Sequence, residues 1–166
     1  LVGVVGNDYP QAYKDVLISK GIDLSGLQVA NEKTFHWKGS YEGDMNKAQT
    51  VFTKLNALAH FKAIVPKEYK GAKHMLLTNL DPSMQLELMR QFDGTVAMDT
   101  MNYWIDTKKK ELLEAIGNSD ILFINDAEAR QLMGTSSLVH AGEDLVSIGP
   151  REVIIKKGEH GAMLCN

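Results

Sequence analysis

A chain of 166 residues with 44% hydrophobic and 23% charged side chains can bury one core of ordinary globular size. Its formal charge of −3 gives no basic excess for a nucleic-acid backbone, and its apolar runs are strand-sized, too short to span a membrane. The lone Cys165 can form no internal disulfide, which fits a reducing, cytoplasmic setting.

Residues 1–5 read as an apolar strand, followed by Gly6 and Asp8. Asp8 is placed to cap a helix that carries Pro10 near its start and stops at Gly21. The chain begins inside a strand, and a fresh apolar run starts at Ala162, so the expectation is a piece of a longer protein. Residues 33–41, KTFHWKGSY, alternate in strand fashion, with Phe35, Trp37 and Tyr41 at the odd positions. Glu42, Gly43 and Asp44 supply turn chemistry, and residues 48–58 carry Val51, Thr53 and Leu55 in similar alternation. This predicts antiparallel strands within 27–58 that project from the main domain as a flap. Phe35 and Trp37 could equally pack on that domain, pack on a dimer partner, or touch a ligand.

From His74 onward the pattern becomes regular strand–helix. Strands are predicted at 75–80, 96–98, 121–124 and 153–155, and helices from Asp81-Pro82, at 108–116, 128–133 and 138–148. Gly117, Gly134 and Gly149-Pro150 close the last three helices. Such units with short connections argue for a parallel sheet with right-handed crossovers. The run 121–124, Ile-Leu-Phe-Ile, is apolar on both faces, as for an inner strand covered by helices on both sides.

Polar residues collect where these strands end. The first ends near Asn79 and Asp81, the second at Asp99, Thr100 and Asn102, the third at Asn125 and Glu128, and the fourth at Lys156, Gly158 and Gly161. Parallel strands would bring all four ends to one rim, where ligands bind in open sheets. Carboxylates there can hold magnesium through water. Asn and Lys can orient phosphate oxygens, and glycines let backbone N–H groups approach an anion. Each end also has a plain structural reading. Asn125 or Asp126 can cap the following helix, with Glu128 favoured by its dipole.

Other signals are weaker. His36, His60, His74, His140 and His160 show no metal-ligand spacing, and Ser136-Ser137 lacks a nucleophile elbow. The methionines read as core filler and Lys108-Lys109-Lys110 as a solvated helix face. No P-loop or dinucleotide fingerprint is present.

Taken in order, these segments resemble the ribokinase/PfkB family of carbohydrate kinases. VGVVGND resembles its VGxD segment, KTFHWKGSY with its return strand its β-sheet lid, and MDTMN its D-x-N segment with Asp99 and Asn102. NDAE matches its NxxE motif at Asn125 and Glu128. IIKKGEHGA resembles its T-x-G-x-x-G segment, with Lys156 where Thr is common. The resemblance implies a ribokinase-like α/β fold: a Rossmann-like parallel sheet flanked by helices, with 1–26 and 59–166 as core and 27–58 as lid. It implies ATP-dependent transfer to a sugar or related hydroxyl, with magnesium. Asn125, Lys156, Gly158, Glu159 and Gly161 would bind the nucleotide, Glu128 and Asp99 the metal. Asn79, Asn102, Phe35 and Trp37 would contact the substrate. A homodimer through the lid is a further expectation.

The family's G-x-G-D segment, whose Asp acts as base, is not among these residues and is expected beyond Asn166. The glycine-rich sugar-binding segment is likewise expected before Leu1. The 166 residues alone are therefore expected to be inactive. A nucleoside kinase of the same fold is one alternative, since lid aromatics can stack on a base as on a sugar. A non-catalytic nucleotide- or sugar-binding module is another.

Overall fold

Parallel pairing takes up the strand that opens the chain. In a computed structural model that describes residues 1–43 and 48–166, β1 (Val2–Gly6) runs parallel to β2 (Gly26–Ala30), with α1 (Gln11–Ser19) between them in sequence. Residues 27–30 therefore do not join the antiparallel strands expected across 27–58. Their partner is β1, a long-range pairing that leaves no local signal.

Nor does Asp8 cap α1. The helix starts at Gln11 with Pro10 as its N-cap, so Asp8 falls too early to reach the first free N–H groups. Its Oδ1 instead accepts from the backbone N and the Oγ1 of Thr34, both at 2.7 Å. The same Thr34 hydroxyl accepts from Gly6 N at 2.9 Å. The approach is so close that a Cβ on Gly6 would lie 2.3 Å from Thr34 N, so glycine is required there.

The predicted antiparallel strands are present as a ribbon, β3 (His36–Tyr41) with β4 (Ala48–Lys54). Trp37 is half-buried while His36 and Lys38 are exposed, the alternation the sequence predicts. The register shifts between Lys38 and Gly39, and the Trp37 indole lies over Gly39. The return strand stops at Lys54 rather than running to Leu58, because Asn56 turns to φ 48 and a 3-10 segment follows over Asn56–His60. Of the predicted turn, Asp44 lies outside the described residues.

The chain divides into two compact units, Leu1–Lys70 and Gly71–Asn166. The second holds a five-stranded sheet in the order β5 (His74–Leu77), β6 (Thr95–Asp99), β7 (Ile121–Asn125), β8 (Glu152–Lys156), β9 (Ala162–Cys165). The first four strands are parallel, and β9 returns antiparallel to β8. Between them run α2 (Pro82–Met89), α3 (Asn102–Thr107), α4 (Lys109–Gly117), α5 (Asp126–Met133) and α6 (Leu138–Ile148). Local chemistry sets their ends. Asp81 caps α2 by accepting from Ser83 N at 3.0 Å, Ser137 caps α6, and Gly134 closes α5 at φ 69. The short helix α3 escapes the sequence pattern, being six residues without a capping side chain.

One expectation about this sheet needs correcting. Leu122, Ile124, Val153 and Ile155 are wholly buried, each worth about 1.5–3 kcal/mol. Ile121, Phe123 and Ile154, on the opposite face, are only partly covered, and Leu76 and Leu164 are 59% exposed. The strands follow one another in sequence order, so right-handed crossovers place their helices on a single face. Within this unit the sheet is covered on one side, not two.

Candidate functional site at the carboxyl edge of the sheet

Parallel strands carry their carboxyl ends to a common edge, and three neighbours deliver charged or polar residues there. β6 ends at Asp99, β7 at Asn125 and β8 at Lys156, with Asp99 in register with Phe123 and Asn125 with Lys156. Asn125 is the N-cap of α5. Its Oδ1 accepts from Glu128 N at 2.7 Å, and its backbone N donates to Glu128 Oε2 at 3.0 Å. This reciprocal pair is a capping box. The structure shows the capping reading of this segment, and the cap holds Glu128 at the rim.

Glu128 is only 9% exposed. Burial pushes its carboxyl above the usual range. The bond from Asn125 N and the positive charge of Lys156 oppose that rise, and the charge of Asp99 adds to it. Lys156 Nζ lies 2.7 Å from Asp99 Oδ2, while Asp99 Oδ1 accepts from Thr100 N at 2.8 Å. The Lys156–Asp99 bridge reaches from β8 to β6 past the end of the intervening β7. Two carboxylates and one ammonium therefore meet at this edge.

A residue that sequence reasoning missed braces it. Gln85 of α2 is fully buried, and its Nε2 donates to Thr78 O at 2.9 Å and to Asp99 O at 3.2 Å. It ties the chain just past β5 to the end of β6. Its Oε1 and the Oγ1 of Thr100 are buried without a hydrogen-bond partner. A buried glutamine inside a helix rich in Leu and Met is the signal that could have found it.

The remaining predicted residues are placed less directly. Asn79 Oδ1 accepts from Trp104 Nε1 at 2.8 Å and its Nδ2 donates to Met101 Sδ, so its carboxamide anchors the start of α3. Asn102 is exposed at the head of α3 and accepts from the next N–H, that of Tyr103. Gly158, Glu159 and Gly161 form the tight connection from β8 to β9, with Gly158 at φ 57 and Gly161 at φ 80. Gly161 N donates to Gly158 O inside that turn, so this N–H is already engaged. Glu159 Oε1 lies 3.5 Å from His160 Nε2. Phe35 and Trp37 belong to the other unit, where Trp37 Nε1 donates to Thr50 Oγ1 at 3.2 Å.

Among the described residues no three His, Cys, Asp or Glu side chains gather into a group able to hold a metal. Asp99 and Glu128 offer two carboxylates. Magnesium is commonly bound by one or two carboxylates plus phosphate oxygens and water. The donor set fits a magnesium that arrives with a polyphosphate.

Comparison with known proteins finds similarity along the whole chain. A family model described as pfkB family carbohydrate kinase matches residues 1–166. The cytidine kinase of Thermococcus kodakarensis is 28% identical over 169 residues, covering 99% of this chain and 60% of that protein. The nucleoside kinase of Burkholderia thailandensis in complex with inosine superposes with a TM-score of 0.78 at 20% identity, over 98% of this chain and 53% of its own. A structure from E. coli named as a ribokinase II, in complex with ATP and Mg2+, gives 0.73 at 19%, over 98% and 57%. The chain thus spans 60% of the length of the curated relative it matches.

Proposed function

Because the chain belongs to the pfkB family of carbohydrate kinases, we propose that it binds ATP with magnesium and serves phosphoryl transfer to a hydroxyl of a sugar or nucleoside. The observation that carries this reading is the convergence of Asp99, Glu128 and Lys156 at the ends of three adjacent parallel strands. Phosphoryl transfer asks the protein mainly for positioning and charge stabilisation, which such a rim can supply.

In this reading Glu128 and Asp99 hold the metal. The capping box fixes the Glu128 rotamer, and Gln85 holds the backbone that bears Asp99. Magnesium, when bound, neutralises charge on the phosphate oxygens. Lys156 and the side-chain amide of Asn125 orient phosphate oxygens, and the turn of Gly158, Glu159 and Gly161 runs beside the nucleotide. Asn102 contacts the acceptor, and Asn79 acts through Trp104 and Met101. The β3–β4 ribbon, inside the 27–58 lid, contacts the acceptor through Phe35 and Trp37. Its exposed Tyr41 and Val51 offer a homodimer contact. No helix among the described residues is long and apolar enough to cross a membrane, and a cytoplasmic setting is part of the proposal.

A nucleoside acceptor is supported by the cytidine kinase of T. kodakarensis and by the inosine complex of the B. thailandensis enzyme. Binding is the direct test for this chain. Calorimetric titration with ATP, with and without magnesium, should show saturable binding that magnesium strengthens. A panel of ribose, cytidine and inosine then ranks the acceptors. Absence of any heat or thermal shift with ATP and magnesium together overturns the reading.

A further inference from the structure

Lys156 occupies an unusual position for a phosphate ligand. Its ammonium already has a partner, Asp99 Oδ2 at 2.7 Å, and its charge also acts on Glu128. Both carboxylates assigned to the metal are therefore under the influence of one cation belonging to the chain itself. The bridge is long-range, joining β6 to β8 past the end of β7. Both side chains keep some solvent access, 45% for Lys156 and 34% for Asp99. The lysine is thus able to leave when a better anion arrives.

We propose that Lys156 is a resident counter-ion that makes metal binding depend on nucleotide. The proposal rests on the ATP–magnesium reading of this edge. Without nucleotide, a divalent cation entering between Asp99 and Glu128 must break the Lys156–Asp99 pair and then sit beside a displaced ammonium of like charge. Both effects oppose it. With a polyphosphate present, Lys156 has anionic oxygens to move to, the carboxylates are released, and the metal enters with its phosphate ligands. The metal alone is excluded and the metal–nucleotide pair is admitted.

Manganese serves as the probe, with free ion counted by electron paramagnetic resonance in the absence of nucleotide. Lys156→Thr and Lys156→Met should bind manganese about tenfold more tightly than the unaltered chain. Lys156→Arg, which keeps the charge, should not. Calorimetry with ATP and magnesium should show the reverse order, with Thr and Met variants weaker. Adding Glu128→Gln to Lys156→Thr should abolish the gain in manganese affinity, which ties the effect to this edge. Unchanged or weaker manganese binding by both Thr and Met variants overturns the proposal. If ATP binds to none of the proteins, the kinase reading fails, while the nucleotide-free manganese series still decides whether Lys156 guards the carboxylates.

Discussion

Asn125 and Glu128 hold each other by two reciprocal hydrogen bonds, of 2.7 and 3.0 Å, at the start of α5. The Asn125 side chain is therefore the helix cap and, in the proposed function, also the amide that orients a phosphate oxygen. The two roles can be separated. Asn125→Asp keeps an oxygen to accept from Glu128 N, and stability should stay within about 0.5 kcal/mol. Asn125→Ala removes the cap and should cost about 1 kcal/mol. Both lose the amide donor, so both should bind magnesium–ATP more weakly. Chemical denaturation measures the first effect and calorimetry the second. Unchanged nucleotide affinity in Asn125→Asp would reduce the residue to a cap.

The raised titration of Glu128 makes a statement about pH. Its folded pKa lies above its ordinary value of 4.5, mainly through burial. Between those two values the native state holds more protons than the unfolded one. Stability from this group therefore falls as pH rises through that window, and the penalty is complete above it. Glu128→Gln keeps an acceptor for Asn125 N and removes the charge. It should melt higher than the unaltered chain at neutral pH, with the difference vanishing below about pH 4.5. Thermal scans across pH check this. The same variant should lose the magnesium enhancement of ATP binding.

Gln85 donates to two backbone carbonyls, Thr78 O and Asp99 O, from a fully buried position. Gln85→Leu leaves both without that donor and should cost about 1–3 kcal/mol. Gln85→Glu turns an acceptor toward them and should cost more. Because Asp99 sits at the rim, both variants should also weaken magnesium-dependent ATP binding. Urea unfolding and calorimetry on the same samples test the pairing of effects.

In the other unit, Asp8 takes two hydrogen bonds from Thr34, and these hold its carboxyl below its usual value of 3.8. A depressed acid stabilises the fold above its unfolded pKa, and that contribution is lost as pH falls through the folded value. Carboxyl NMR should find Asp8 titrating below 3.8 in the unaltered chain and moving upward in Thr34→Val, which removes the side-chain donor.

The strand–helix course from His74 was legible because its punctuation is local. Asp81-Pro82, Ser137 and Gly134 carry the rules for starting and stopping a helix within a few residues. The shared rim followed from parallel order alone, and Asp99, Asn125 and Lys156 do meet there. What escaped depends on distant partners. The Lys156–Asp99 bridge joins residues 57 positions apart. Residues 27–30 look like hairpin material until β1 claims them, and Asp8 looks like a cap until Thr34 arrives from beyond the helix. That the helices of this unit lie on one face of the sheet is a matter of strand order, which hydrophobic periodicity does not encode.

The two tryptophans fall one to each compact unit, Trp37 on the ribbon and Trp104 on α3. Trp104 is 5% exposed, whereas Trp37 is only half-buried. Excited at the red edge, where tyrosine does not absorb, the two tryptophans report surroundings of different polarity, with blue-shifted emission from Trp104 and redder emission from Trp37. With either one changed to phenylalanine, a single cuvette reports the melting of one unit without interference from the other. If the proposed function holds, Trp104, bonded to Asn79, should also report nucleotide arrival without a label.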